Sequence, residues 1–148
     1  ENMVTLAKRV KNAGMKWLMC IHYSDFWADP GKQYLPKAWE GKSVDELEQL
    51  VYEFTKELLD ICNKEDIMPD MVAVGNELSN GLMWPVAKWP EFDNIATFVK
   101  AGARAVREAD KNIPIMIHLD NGGKIELYEE WFDNFCRRKV KETKDIER

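Results

Sequence analysis

The stretch from Met71 to Pro85, MVAVGNELSNGLMWP, constrains the fold more than any other. Met71, Val72, Ala73 and Val74 form a short apolar block, partly β-branched, behind Pro69, and the block breaks abruptly into Gly75-Asn76-Glu77. Such a run suits a buried parallel strand better than a helix. Glu77 then stands at the strand's C-terminal mouth, where the loops of a βα-repeat protein converge on ligands. A carboxylate in that place is a candidate acid or base. The competing reading is a solvated loop start or a helix N-terminus, where negative charge suits the helix dipole.

The flanking sequence repeats the pattern. Met3, Leu6, Ala7, Val10 and Ala13 have the spacing of a helix with one buried face, and Gly14 supplies the stop. Trp17 to Ile21 is an apolar run that ends in His22, a second expected strand. Tyr23 to Lys42 is a long loop rich in Asp, Pro, Gly, Ser and aromatics, and long ordered loops after strands usually carry function. Ser43-Val44-Asp45-Glu46 matches a capping box, and Leu47, Leu50, Val51, Phe54, Leu58 and Ile61 continue from it at helical spacing.

A second long loop runs through Trp84-Pro85 to Trp89-Pro90, followed by a helix marked by Ile95, Phe98, Val99, Ala105, Val106 and Ala109. The third strand is expected over Ile113 to Leu119, ending in His118 and Asp120. Gly122-Gly123 then turns the chain into a helix with Ile125, Tyr128, Trp131, Phe132 and Phe135. The order is α-β-α-β-α-β-α, the rhythm of a (β/α) barrel or an open doubly wound sheet. No GxGxxG or GxxxxGK follows a strand, so the phosphate cradle of nucleotide-binding sheets is absent. Each strand ends instead in polar side chains, His22, then Asn76 and Glu77, then His118 and Asp120. That convergence favours a barrel mouth.

Composition narrows the partners. A chain of 148 residues with net charge −5 has room for one domain and lacks the basic surplus that phosphate backbones demand. Nucleic acid is therefore not an expected partner. No apolar run approaches the ~20 residues of a membrane span, so no membrane association is expected either. Cys20, Cys62 and Cys136 are widely spaced, with no CxxC or Cys/His cluster, which gives neither a metal site nor a disulfide framework. Cys20 and Cys62 lie in apolar runs and read as small core hydrophobes. Of six tryptophans, Trp27, Trp39 and Trp84 fall in the long loops, where an indole needs a ligand or a neighbour to cover it.

Three motifs carry a resemblance. HYSDFWADPGKQYLPKAW from His22 to Trp39, VGNELSNGLMWP from Val74 to Pro85, and HLDNGG from His118 to Gly123 closely resemble the endo-β-1,4-galactanases of glycoside hydrolase family 53. The resemblance runs from the first helix to about Phe135. It implies an α/β fold of the (β/α)8 TIM-barrel type, represented here by a partial barrel of about three parallel strands, the third to the fifth, with flanking helices. It implies hydrolysis of internal β-1,4 bonds in galactan and type I arabinogalactan, with retention and no organic cofactor. Because such a polymer cannot cross a membrane, it also implies an extracellular or cell-envelope location.

Residue by residue, Glu77 matches the family's general acid/base and Asn76 the group that hydrogen-bonds the sugar 2-hydroxyl. His22, His118 and Asp120 match polar groups lining the mouth, and Trp27, Trp39 and Trp84 would offer flat faces to galactose rings. A retaining glycosidase needs one protonated carboxyl for the leaving oxygen and a second, ionised carboxylate about 5 Å away as nucleophile. Other readings stand beside these. His22 and His118 also fit capped strand ends, Trp39 fits a packed aromatic cluster, and Asp25 and Asp29 fit local loop hydrogen bonding as well as sugar contact.

One feature departs from the family. Its nucleophilic glutamate comes from the seventh strand, and nothing here matches it; Glu126, Glu129 and Glu130 should face solvent on the last helix, and Asp120 is on the wrong strand. The expected organisation is a catalytic-domain sector over residues 1–135 and a charged tail over 136–148, where another buried strand would be due. Three strands leave two open edges and a bare inner face, from which self-association is expected. The alternative function is a catalytically silent carbohydrate-binding or interaction fragment.

Overall fold

A computed structural model describes residues 2–146, with side chains described as far as Arg137. Helix α1 (Met3–Asn12) leads into strand β1 (Leu18–Ile21), then α2 (Val44–Lys64) and β2 (Met71–Val74). A small hairpin follows, β3 (Gly81–Leu82) with β4 (Ala87–Lys88), before α3 (Phe92–Ala109), β5 (Ile115–Met116) and α4 (Ile125–Ile146). Strands β1, β2 and β5 form one parallel sheet in that order, with Leu18 opposite Met71 and Val72 opposite Ile115. Each crossover therefore steps to the next strand in the same direction. An open doubly wound sheet reverses at a switch point, whereas a barrel does not. The architecture is a sector of an α/β barrel.

Side-chain alternation assigns the two faces of the sheet. On β1, Met19 and Ile21 are buried while Leu18 is exposed and Cys20 half-buried. The covered face packs on α2 and α3. Val74 lies so close to Gly102 of α3 that a Cβ there would meet Val74 Cγ1 at 2.6 Å and the Tyr23 hydroxyl at 2.7 Å. Thr55 Oγ1 of α2 donates to the Val51 carbonyl at 2.7 Å and accepts from Tyr23 Oη at 2.8 Å, so both buried hydroxyls are satisfied. Burial pushes the Tyr23 phenol well above its usual range.

The capping box at Ser43 and Glu46 forms as expected, each side chain meeting the other's backbone N–H. The buried stripe of α2, however, is Leu47, Val51, Thr55, Leu59 and Cys62, and Ile61 is exposed. The helix is rotated relative to the apolar count because a polar residue, Thr55, has its partner inside. In α3 the buried face is as expected, but Ala109 is exposed. In α1 only Ala7 is buried, and Leu6 and Met15 are exposed along with Leu18. Of the expected apolar stripe of α1, Ala7 and Met3 meet the core while Leu6 stays exposed.

The third strand is much shorter than Ile113 to Leu119. Only Ile115 and Met116 pair, and Ile115 to His118 are half-buried. Pro114 lacks an amide, and among the described residues no strand pairs with the far side of β5, so the ladder ends early. The His118 carbonyl instead accepts from Leu78 N at 2.8 Å in the loop after β2. The last helix starts at Ile125, which is exposed, and its backbone continues through the charged segment to Ile146; the side chains beyond Arg137 lie outside the described residues.

Candidate active site

The chain leaves β2 through a tight turn that glycine makes possible. Gly75 has φ +89°, and a Cβ there would meet Leu78 Cδ2 at 2.7 Å. Glu77 follows in the left-handed region, φ 51° and ψ 56°, and caps a short 3-10 turn, Leu78–Asn80. A left-handed non-glycine residue costs about 1–3 kcal/mol and persists only where its surroundings fix it. Here the surroundings do so. Leu78 N is held by the His118 carbonyl, the Leu78 carbonyl accepts from buried Trp131 Nε1 at 2.9 Å, and Ser79 Oγ donates to Asp120 Oδ1. Among the described residues the Glu77 carboxylate has no hydrogen-bond partner, which leaves it free to give or take a proton.

Asn76 joins the three strand ends. Its Oδ1 accepts from Cys20 Sγ at 3.4 Å and pairs with His118 Nδ1 at 2.9 Å, and its Nδ2 donates to the Ala28 carbonyl at 2.8 Å. A carbonyl cannot donate, so Ala28 fixes which end of the amide is nitrogen, and His118 Nδ1 must then carry the proton. Three of the four bonding positions of the amide are used, leaving one Nδ2 hydrogen for a ligand. The Cys20 thiol, expected as packing, is thus part of this network; burial, and then the Glu77 charge, push its pKa up.

His22 faces the same space. Its Nδ1 accepts from Ala28 N at 2.9 Å, so Ala28 is gripped by its amide and its carbonyl at once. Burial lowers the His22 pKa; the nearby Glu77 charge opposes this and His118 adds to it. Both histidines at the strand ends therefore meet the Asn76 and Glu77 segment, as the sequence pattern anticipates. An open groove of about 850 Å³ runs along the free edge of β1, from Leu6 and Val10 of α1 up to His22 and Asn76.

The loop aromatics divide. Trp27 is 84% exposed and touches His22 only edge to face at 6.3 Å, so no neighbour covers it. Trp39 packs edge to face on Phe54 at 6.1 Å, which is the packed-cluster alternative. Trp84 is half-buried: its Nε1 donates to the Asn80 carbonyl at 2.8 Å, Tyr34 meets it edge to face, and Lys88 Nζ sits 4.3 Å from its ring centre. One face of that indole is already occupied by a cation. Asp25 accepts from Lys37 N at 2.7 Å and Asp29 from Gly31 N at 2.8 Å, so each serves its own loop. Asp120 is bonded through one oxygen to Ser79 and through the other to Asn121 Nδ2. It braces the turn behind Glu77. Glu126, Glu129 and Glu130 are exposed on α4, as expected.

Two contributors escaped the sequence reading. Gln33, 3% exposed, donates from Nε2 to the carbonyls of Asn76 at 2.6 Å and Glu77 at 3.2 Å. Ser79, also buried, holds Asp120. Neither lies on an apolar period, and their only sequence signal is membership of the two long loop motifs.

Comparison with known proteins bears on family and fold. The sequence profile of glycosyl hydrolase family 53 matches residues 1–145. Arabinogalactan endo-beta-1,4-galactanase A of Aspergillus niger is 42% identical over 132 residues, covering 86% of this chain and 37% of that protein. The GH53 catalytic domain of Ignisphaera aggregans superposes with a TM-score of 0.88 at 38% identity, over 93% of this chain and 38% of that one. A fungal beta-1,4-galactanase gives a TM-score of 0.86 at 34% identity, over 91% and 41%. This chain thus spans about two-fifths of the length of the proteins it matches, across the strand ends described above. The chain belongs to glycosyl hydrolase family 53.

Proposed function

We propose that this chain is the acid/base half of an endo-β-1,4-galactanase site. Glu77 protonates the leaving oxygen, and Asn76 presents its remaining Nδ2 hydrogen to a sugar hydroxyl. The observation that carries this reading is the unpartnered Glu77 carboxylate at the mouth, held in a left-handed turn beside an amide with one donor to spare. His22 and His118 line the same space, and Trp27 and the open side of Trp84 offer surfaces for galactose rings. Asp25 and Asp120 contribute through the backbone and side chains they hold.

In this reading the second carboxylate of the retaining pair, required about 5 Å from the first, comes from strands other than β1, β2 and β5. This is supported by Asp120 being bonded through both oxygens and by the exposure of Glu126, Glu129 and Glu130. The substrate is galactan or type I arabinogalactan, met outside the cytoplasm. Residues 1–135 carry all the motifs of this reading, and the charged segment 136–148 adds none.

The exposed Leu6, Met15 and Leu18 and the groove beside β1 favour self-association of the chain. Among the described residues no helix is long and apolar enough to cross a membrane.

The test is a barrel completed by the remaining family-53 strands, assayed on galactan with Glu77 intact and with Glu77→Gln. Loss of a positioned proton donor should cost about 10²–10⁴-fold in kcat. Undiminished activity would remove Glu77 from the role. The second reading, a binding module, is favoured by Asp120 at the mouth being held through both oxygens; it predicts that the chain binds galactotetraose without cutting it.

A further inference from the structure

The two long loops are not independent, and one buried side chain joins them. Gln33 sits in the loop after β1, yet its Nε2 spends both hydrogens on consecutive carbonyls of the loop after β2, those of Asn76 and Glu77. Its own carbonyl accepts from Trp84 N at 2.6 Å, and the neighbouring Leu35 N donates back to the Trp84 carbonyl at 3.1 Å, which makes Tyr34 and Trp84 a parallel bridge. Gln33 therefore grips the second loop at two points, the Glu77 turn with its side chain and the Trp84 segment with its backbone.

That arrangement addresses a specific physical problem. Glu77 lies in a costly left-handed conformation, and the direction of its side chain depends on the peptide planes on either side. Hydrogen bonds to the Asn76 and Glu77 carbonyls fix both planes at once. We propose that Gln33 is the positioning residue for Glu77, setting the aim of its carboxyl and coupling it to the Trp84 surface so that the two move as one unit. This rests on the reading of Glu77 as the acid/base.

The test uses the whole 148-residue chain with three variants, Gln33→Met, which keeps length and removes both donors, Gln33→Glu, and Glu77→Gln. Amide hydrogen exchange and carboxyl-detected NMR report on it. In Gln33→Met, the Leu78 and Trp84 amides should exchange about tenfold faster, the worth of one or two ordinary hydrogen bonds, while the β1 and β2 amides keep their protection. The Glu77 carboxyl resonance should shift.

In Gln33→Glu at neutral pH, a carboxylate faces two carbonyls and the same loosening is expected. On acidification the protonated side chain regains one donor, so the exchange ratio to the parent should fall back. A merely structural glutamine would lower protection across the sheet in both Gln33 variants, and that result, or failure of both to fold, would overturn the proposal. So would unchanged Leu78 and Trp84 exchange.

Galactotetraose separates this from the underlying reading. If it leaves Asn76 and Glu77 resonances unmoved in the parent and in Glu77→Gln alike, the galactan reading fails whatever Gln33 does. If it moves them in the parent and equally in Gln33→Met, only the positioning role fails.

Discussion

The helix-covered face of the sheet and the mouth at its C-terminal end are built on opposite principles. On the covered face buried groups are spent on one another: Tyr23 and Thr55 satisfy each other, and Gly102 lets α3 close on Val74. At the mouth, Glu77 is strained in backbone and free in side chain, and Asn76 keeps one donor unspent. The first region spends its interactions on one another. The second withholds some of them, which is what a site must do if a ligand is to supply the missing partners.

Trp131 is where the two regions meet, so its loss should have the largest effect. It is fully buried among Phe92, Phe132 and Phe135, and it also holds the Leu78 carbonyl next to Glu77. Trp131→Ala should cost about 3–5 kcal/mol in urea denaturation and disorder the Glu77 turn as well. Should the turn keep its NMR signature after that loss, core and mouth are less connected than described. Gly102→Ala, confined to the covered face, should cost about 1–3 kcal/mol through overpacking and leave the Asn76 and His118 resonances in place. Shifts there would break the separation of the two regions.

How much of this could be read in the chain depended on whether the signal was local. Short-range rules gave the capping box, the Gly14 stop and the two strands Leu18–Ile21 and Met71–Val74 almost as observed. The mouth was legible because Asn76, Glu77, His22 and His118 each lie just beyond the C-terminal end of a strand, and topology alone brings strand ends together. What failed was whatever depended on a neighbour distant in sequence. The apolar pattern of the third strand spans Ile113 to Leu119, but a strand persists only where a ladder pairs it, and here Ile115 and Met116 alone meet β2. Ile61 counted as core by spacing and lost its place to Cys62 and Leu59, because Thr55 turns inward to Tyr23. Gln33 could not be found at all, since a buried glutamine has no period and its partners lie in another loop.

Smaller effects sharpen the comparison from the other side. The His22 imidazole should titrate below its ordinary value of 6.5, chiefly because it is buried. A folded pKa below the unfolded one means the unfolded chain binds the proton more readily, so stability falls as pH drops from 6.5 through the folded value and is insensitive above that window. Since the Glu77 charge raises the His22 pKa, Glu77→Gln should lower it further; a rise would show that the two groups do not share one space. The same substitution should change unfolding free energy by no more than about 0.5 kcal/mol, because Glu77 bonds nothing through its carboxylate. A large loss would make Glu77 a structural residue.

The proposed function has this mouth recognise β-1,4-galactan through Glu77 and Asn76. It is tested most directly by adding galactotetraose to the isotopically labelled chain and following those two residues, His118 and Trp84, with mannotetraose alongside. Selective shifts at these positions with galactotetraose, the sugar remaining uncut, are the expected result. Unmoved resonances, equal shifts with mannotetraose, or cleavage that persists in Glu77→Gln would contradict it.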